Sequence, residues 1–403
     1  MNTAQNFATR ANRMKASEIR ELLKLMDRPG ILSFAGGIPD ARLFPSDAFA
    51  TAFAEIMTGA QAGAALQYSV SEGYRPLRDW LAGEMAKIGI PCGADNVLIT
   101  SGSQQALDYL GKLFLSPGDT ALVGWPTYMG ALGAFNAYEP RYDRLQIHGN
   151  RSAADLRDAA KAGGGAVKFT YLSPDFANPT GETVDLAGRE ALLDLAEDLD
   201  CAIIEDGAYQ SLRYDGDPVP PILALELARK GDLDACRTIY CGSFSKTLSP
   251  GLRVGWVVAA TPVIQQLVLM KQAADLHSAT INQIAIHKVA EACFDAHVDT
   301  IRNAYGARRD ALLAALARHM PKGVQWTKPE GGMFVWLTLP RGMDAADLLA
   351  RAIEDHNLAF VPGRAFHADG SGENTLRLAF SCADDAMIEE GMARLGALLR
   401  AAG

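Results

Sequence analysis

The sequence predicts an α/β protein: a large domain with a mostly parallel sheet between helices, then a smaller α+β domain. Three observations carry this reading. At 403 residues the chain is long enough for two domains with separate cores. Up to about residue 270, apolar runs of strand length alternate with amphipathic stretches of helical length, the pattern of a sheet covered on both faces. Beyond that point comes one long helical stretch and then two β-rich runs that belong to a further unit. The expected limits are an N-terminal arm and short helix over 1–45, the large domain over 46–285 and the small domain over 286–403.

Composition narrows the function classes. Hydrophobic residues make up 49% and charged residues 21%, an ordinary globular balance. A net charge of −9 argues against a nucleic-acid surface, which requires a basic patch. The six cysteines contain no C-x-x-C pair and read as reduced intracellular thiols. The seven histidines show no ligand spacing, so no metal site is expected. The polar stretch 1–15 lacks the apolar segment of a signal peptide, and no apolar run approaches the roughly 20 residues of a membrane span. A cytoplasmic protein is the expectation.

In chain order, 17–26 reads as a short helix: Ser17 is its N-cap, Ile19, Leu22, Leu23 and Met26 form one stripe, and Pro29-Gly30 stops it. Arg20 then lies off the stripe, on a face that defaults to solvent. Gly36-Gly37 marks a tight backbone path, with a plain turn the first expectation over a close ligand approach. Pro76 fits the first turn of a helix running to about Ile88. A strand over 96–100 and a helix over 104–115 flank Ser101-Gly102-Ser103; free N–H groups at such a junction bind anions, although Gly and Ser also serve there simply as caps.

Further strands are expected over 121–123 and 168–172. The first ends in Gly124-Trp125-Pro126-Thr127-Tyr128, where an aromatic is either core or a surface for a ring to stack on. The second runs into Asn178-Pro179-Thr180-Gly181, a good turn by composition. After a helix over 186–199, an apolar strand ends in Glu205-Asp206, and in open α/β sheets ligands gather at the carboxyl ends of strands. Next come Ser243-Phe244-Ser245-Lys246, the Pro250-Gly251 turn, Arg253 and a strand over 254–258. A reactive amine at Lys246 would need burial or cationic neighbours to lower its pKa, and the two serines with Arg253 suit a phosphate; solvated loop charges are the alternative. The long helix is expected over 282–317 with Arg308-Arg309-Asp310 on a solvated face. Strands near 331–337 and 374–380 follow, the latter carrying Arg377, which either faces solvent or offers its fork to a carboxylate.

The spacing Ser243-x-Ser245-Lys246-x-x-x-Pro250-Gly251-x-Arg253-x-Gly255 resembles the cofactor-lysine signature of fold-type-I aminotransferases. These enzymes have the aspartate-aminotransferase-like fold and use pyridoxal 5′-phosphate (PLP). The resemblance extends over 17–380. It implies that Lys246 holds PLP as a Schiff base and moves the proton, that Asp206 pairs with the pyridine nitrogen, and that Asn178 and Tyr209 bond the phenolic oxygen. By the same resemblance Tyr128 covers the ring. Ser103, Gln104, Ser243, Ser245, Arg253 and a neighbouring subunit's Tyr68 hold the phosphate in a homodimer. Arg377, Asn178 and Gly37 bind the substrate, Arg377 its α-carboxylate. The stretch 19–37 is similar to the 2-aminoadipate and broad-range aromatic subgroup, in which the short N-terminal helix is a lid and Ser17 and Arg20 meet an acidic side chain. The implied reaction moves the amino group of an L-α-amino acid (2-aminoadipate, aromatic or branched-chain) to a 2-oxo acid, 2-oxoglutarate being expected. A PLP lyase or decarboxylase is the alternative. A PLP-binding regulator is disfavoured, since the arm before Ser17 is too short for a DNA-binding domain.

Overall fold

The computed structural model describes residues 6–14 and 30–402. The expected helix at 17–26, with Ser17 and Arg20, lies outside the described residues.

In chain order the described strands are β1 Leu32–Ser33, β2 Val97–Thr100, β3 Thr120–Val123, β4 Arg141–Arg144, β5 Val167–Leu172, β6 Ala202–Asp206, β7 Thr238–Ser243 and β8 Gly255–Val258. After them come β9 Gln325–Trp326, β10 Phe334–Thr338, β11 Leu358–Ala359, β12 Val361–Pro362 and β13 Thr375–Ala379. The helices are α1 Ser46–Thr58, α2 Ala62–Leu66, α3 Arg75–Lys87, α4 Ser103–Phe114, α5 Met129–Asn136 and α6 Ala153–Ala162. They continue with α7 Leu186–Leu199, α8 Ile222–Lys230, α9 Thr261–Gln272, α10 Thr280–His319, α11 Ala345–His356 and α12 Asp385–Ala402.

Seven strands form the main sheet in the order β2-β8-β7-β6-β5-β3-β4. All adjacent pairs are parallel except those made by β8, which runs against both β2 and β7. Reversing twice leaves β2 pointing the same way as β7. The carboxyl ends of β2, β3, β5, β6 and β7, and the amino end of β8, therefore meet at one edge of the sheet. The sequence explains why the central strands sit deep: Thr120-Ala121-Leu122-Val123 in β3 is buried throughout, as is Ile203-Ile204-Glu205-Asp206 in β6, as expected for a parallel sheet covered on both faces.

Local signals set the covering helices. In α3 a proline occupies the first turn, where its missing N–H costs nothing. In α7 the Asp185 side chain accepts from Gly188 N–H, and Asp200 closes the helix in the left-handed conformation at φ 52°.

The C-terminal part carries its own antiparallel sheet, β12-β13-β10-β9, packed with α11, α12 and the second half of α10 in one apolar cluster. β1 pairs in parallel with β11, so residues 32–35 join this cluster although they lie far away in sequence. The 40-residue α10 links the two parts: Ile284, Ile286 and Val289 pack with main-sheet neighbours, whereas Ile301, Tyr305, Leu312 and Leu316 pack into the C-terminal cluster.

Two expectations are corrected. Arg308 and Arg309 are not on a solvated face. Tyr305, Arg309, Leu312 and Leu316 share the buried stripe of α10, and Arg309 Nη1 donates to the Pro329 carbonyl at 3.0 Å. Arg308 Nη2 lies 2.7 Å from Asp40 Oδ2; Asp310 alone of the three is exposed. Gly36-Gly37 is also not a turn. Residues 34–40 form no turn, and a Cβ on Gly37 would stand 2.7 Å from Phe334 Cε1 of β10, so close packing demands the glycine there.

Candidate active site

The loops leaving the common sheet edge deliver the predicted site residues to one place. β6 ends on Asp206, which is buried with no cationic hydrogen-bond partner among the described residues. Its Oδ2 accepts from the Tyr171 hydroxyl at 2.8 Å and its Oδ1 from Ala208 N–H at 3.2 Å. Burial nevertheless pushes the carboxyl pKa up, because these donors offset only part of the lost hydration. The neighbouring Glu205 closes a helix end instead. Both its oxygens accept from Ile222 and Leu223 N–H at the start of α8, at 2.8 and 2.9 Å.

β7 leads into the turn that carries Lys246. The Ser243 hydroxyl accepts from Ser245 N–H at 3.1 Å and shapes the turn. Lys246 Nζ donates to the Gly37 carbonyl at 3.2 Å and lies 5.7 Å from the centre of the Tyr209 ring. Burial first, then the positive charges of Arg377 and Arg253, pull the ammonium from 10.5 to about 8, against the opposing pull of Asp206.

Arg377, on β13, is 1% exposed and so does not face solvent. Its guanidinium carbon stands 4.3 Å from the Phe334 ring centre and 4.9 Å from that of Phe366. Nη1 donates to Asn178 Oδ1 at 2.7 Å and Nη2 to the Ala35 carbonyl at 2.8 Å, while Nε is buried without a partner among the described residues. Burial raises the pKa of the Tyr209 hydroxyl, and Asn178 lies near enough to oppose that rise. Tyr128 lies near enough to Asp206 and Arg377 for both to act on its pKa, which burial raises.

The turn after β2 forms a cup. Gly102 has φ 81° and gives α4 no side-chain cap, so the N–H groups of Ser103 and Gln104 in the first turn have no helical acceptor. Arg253, at φ 53°, is exposed and lies against Gly102: a Cβ there would overlap Arg253 Nη2. The Gln104 side chain turns elsewhere, donating to the Gly130 carbonyl at 2.7 Å and pinning the loop behind Tyr128. Tyr68 stands apart from this site in the single chain, 79% exposed and edge-on to His277 at 6.0 Å. Nothing in one chain brings it to the cup.

These residues fit PLP. The uncapped helix N-terminus beside Arg253, Ser243 and Ser245 suits a phosphate, and the glycines leave the backbone bare for close approach. The buried carboxylate of Asp206 lacks the cationic N–H that a protonated pyridine would bring. Lys246 supplies the amine. Sequence reasoning missed Tyr171, Ala35 and the Gly37 carbonyl as an amine acceptor. Tyr171 reads as core within the strand Val167–Leu172; only the register, which sets it opposite Ile204, two residues before Asp206, brings out its role.

The family model described as aminotransferase class I and II matches residues 31–395. The 2-aminoadipate transaminase of Thermus thermophilus is 44% identical over 400 residues, covering 98% of this chain and 97% of the relative. Aromatic-amino-acid aminotransferase 1 of Thermococcus litoralis is 42% identical over 400 residues, with 98% and 94% covered. Among solved structures, α-aminoadipate aminotransferase of Thermus thermophilus, complexed with N-(5′-phosphopyridoxyl)-L-leucine, superposes with a TM-score of 0.89 at 42% identity, covering 100% of this chain and 99% of that one. Kynurenine aminotransferase of Pyrococcus horikoshii gives 0.91 at 41%, with 100% and 98% covered.

Proposed function

This chain belongs to aminotransferase class I and II, with PLP as its cofactor and the aspartate-aminotransferase-like fold, and we propose a specific reaction for it. The amino group of 2-aminoadipate, or of an aromatic or branched-chain L-amino acid, passes to 2-oxoglutarate. One observation carries the reading. Lys246 Nζ, with its pKa drawn to about 8, lies beside Asp206 and Arg377, three groups brought from β7, β6 and β13.

PLP, when bound, supplies an electron sink for the pair left behind when the substrate Cα–H bond breaks. Arg377 binds the α-carboxylate through its fork and, with Asn178 and Gly37, turns the Cα–H toward Lys246. Lys246 would hold the cofactor through its amine; once freed by the substrate's own amine, the neutral Lys246 takes the proton from Cα as base and returns it as acid two bonds away, on the far side of the substrate nitrogen. Asp206 would pair with the pyridine nitrogen and favour its protonated form; Tyr171 and Ala208 N–H hold that carboxylate in place. Asn178 and Tyr209 would bond the phenolic oxygen, and Tyr128 would cover the ring. Ser103, Gln104, Ser243, Ser245 and Arg253 would hold the phosphate together with the partner subunit's Tyr68, in a homodimer. Ser17 and Arg20, in the 1–45 arm, are proposed to meet the acidic side chain of the substrate. The large PLP-binding domain is assigned to 46–285 and the small one to 286–403; along α10 the apolar partners themselves change later, between Phe294 and Ile301. A cytoplasmic location is part of this proposal, on the reading of the six cysteines as reduced thiols.

The test is a panel of L-amino acids with 2-oxoglutarate, recording the glutamate formed. Activity on 2-aminoadipate that falls at least about tenfold in Arg20→Ala is expected, since loss of a charge-assisted bond of roughly 1.4 kcal/mol or more is tenfold. Activity confined to apolar donors would refute the acidic-side-chain assignment. Release of free ammonia or carbon dioxide would refute transamination.

A further inference from the structure

We propose that Lys271 and Asp275 are positioning residues for the phosphate cup, an ion pair between a buried ammonium and a partly exposed carboxylate that sets where the donors of the 101–104 turn stand. The inference rests on the cofactor reading above and concerns residues that the reaction itself does not use.

The Lys271 side chain, on the last turn of α9, is 0% exposed. An ammonium removed from water needs its protons satisfied, and this one is surrounded by acceptors. Nζ donates to Gln105 Oε1 at 2.9 Å, to both carboxylate oxygens of Asp275 at 3.0 Å and to the Ser278 hydroxyl at 2.9 Å. Asp275 in turn accepts from Gln105 Nε2 at 2.7 Å, from the Ser101 hydroxyl at 3.1 Å and from the Tyr109 hydroxyl at 3.2 Å. Gln105 Oε1 also takes the Ser101 backbone N–H at 2.8 Å.

The consequence falls on the turn. Both donors of Ser101, its N–H and its hydroxyl, are engaged by the cluster around Lys271. The next free donors are the N–H groups of Ser103 and Gln104, which Gly102 does not cap. Gln105 and Tyr109 fix α4 to the same cluster one and two turns further on. The ion pair thus holds the residue before the cup and the helix after it in one hydrogen-bonded unit. A cup built only on Gly102 and solvent-exposed Arg253 would have no such support. An apolar side chain could fill the volume of Lys271 at lower desolvation cost, so a requirement for placement accounts for the charge.

The probe is PLP against pyridoxal, which has the same ring without the phosphate. Each is titrated into the full chain stripped of cofactor, with binding read by equilibrium dialysis and no turnover involved. In Lys271→Met the PLP dissociation constant is expected to rise about tenfold while that of pyridoxal stays within about twofold, since tenfold is the loss of roughly one charge-assisted bond. Ser101→Ala, which cuts a single hydroxyl from the cluster, is the milder variant should Lys271→Met not fold, and is expected to shift the same ratio about threefold. Equal losses for both ligands, or no change for either, would overturn the proposal. Wild-type protein that bound PLP no tighter than pyridoxal would instead bring down the phosphate cup itself, and the inference with it.

Discussion

At Lys246 the folded protein holds an amine under electrostatic pressure, and that pressure has a measurable sign. Its pKa falls from 10.5 to about 8, so between those values the unfolded chain binds a proton that the folded protein has released. Stability conferred by this residue therefore rises with pH across that window, and below it the fold carries a desolvated charge. Cofactor-free Lys246→Met is expected to melt above cofactor-free wild type at pH 7, with the gap closing as pH climbs past 10; thermal melts at several pH values check this. An equal gap at every pH would show that the amine is not under this pressure. Asp206 is the complementary case: its carboxyl is raised by burial and faces no cationic hydrogen-bond donor among the described residues, which is the environment a protonated ring nitrogen would relieve. Both residues were legible in the sequence from small neighbours and from strand-end position. Tyr171 was not, because a tyrosine inside an apolar strand looks like core until the register sets it opposite Ile204, two residues from Asp206. Arg309 was misread for the reverse reason: a charged triplet looks solvated unless Tyr305, Leu312 and Leu316 are counted onto the same stripe.

The element on which the cofactor site depends most is the β2–α4 junction. Its shape is set by Gly102 at φ 81°, and Arg253 packs where a side chain would be. Gly102→Ala drives a methyl into Arg253 Nη2 and forces on an alanine the positive-φ extended conformation, φ 81° and ψ 162°, that is essentially glycine's alone. PLP affinity is expected to fall at least about tenfold, while the secondary structure measured by circular dichroism is unchanged, since the cost of such a residue is only about 1–2 kcal/mol. Unchanged affinity would mean that the cup is not where the phosphate sits. At this scale the sequence was informative about strand and helix positions, because buried parallel strands and stripe-bearing helices differ in length and period. It could not show that β8 runs antiparallel between β2 and β7, the reversal that brings the 101–104 turn and Arg253 to the same edge. It also missed the close approach at Gly37, which arises only when β1 pairs with β11 across 326 positions of sequence, Leu32 to Leu358.

For the molecule as a whole, the exposed apolar side chains Leu66, Tyr68 and Val70 lie on one short stretch, as expected of a surface that another copy covers. Sedimentation is expected to give a dimer, and Tyr68→Phe to weaken PLP binding several-fold without dissociating it, at the roughly 1 kcal/mol of a single hydrogen bond. A fully active monomer would contradict the shared site. Lys246 as the residue that carries the cofactor can be tested more directly still. Borohydride reduction of the PLP-loaded protein fixes the cofactor to whichever lysine carries it, and peptide mass spectrometry then locates the added mass. The pyridoxyl mass is expected on Lys246 alone and lost in Lys246→Ala; the same mass on another lysine, or on none, would contradict the assignment.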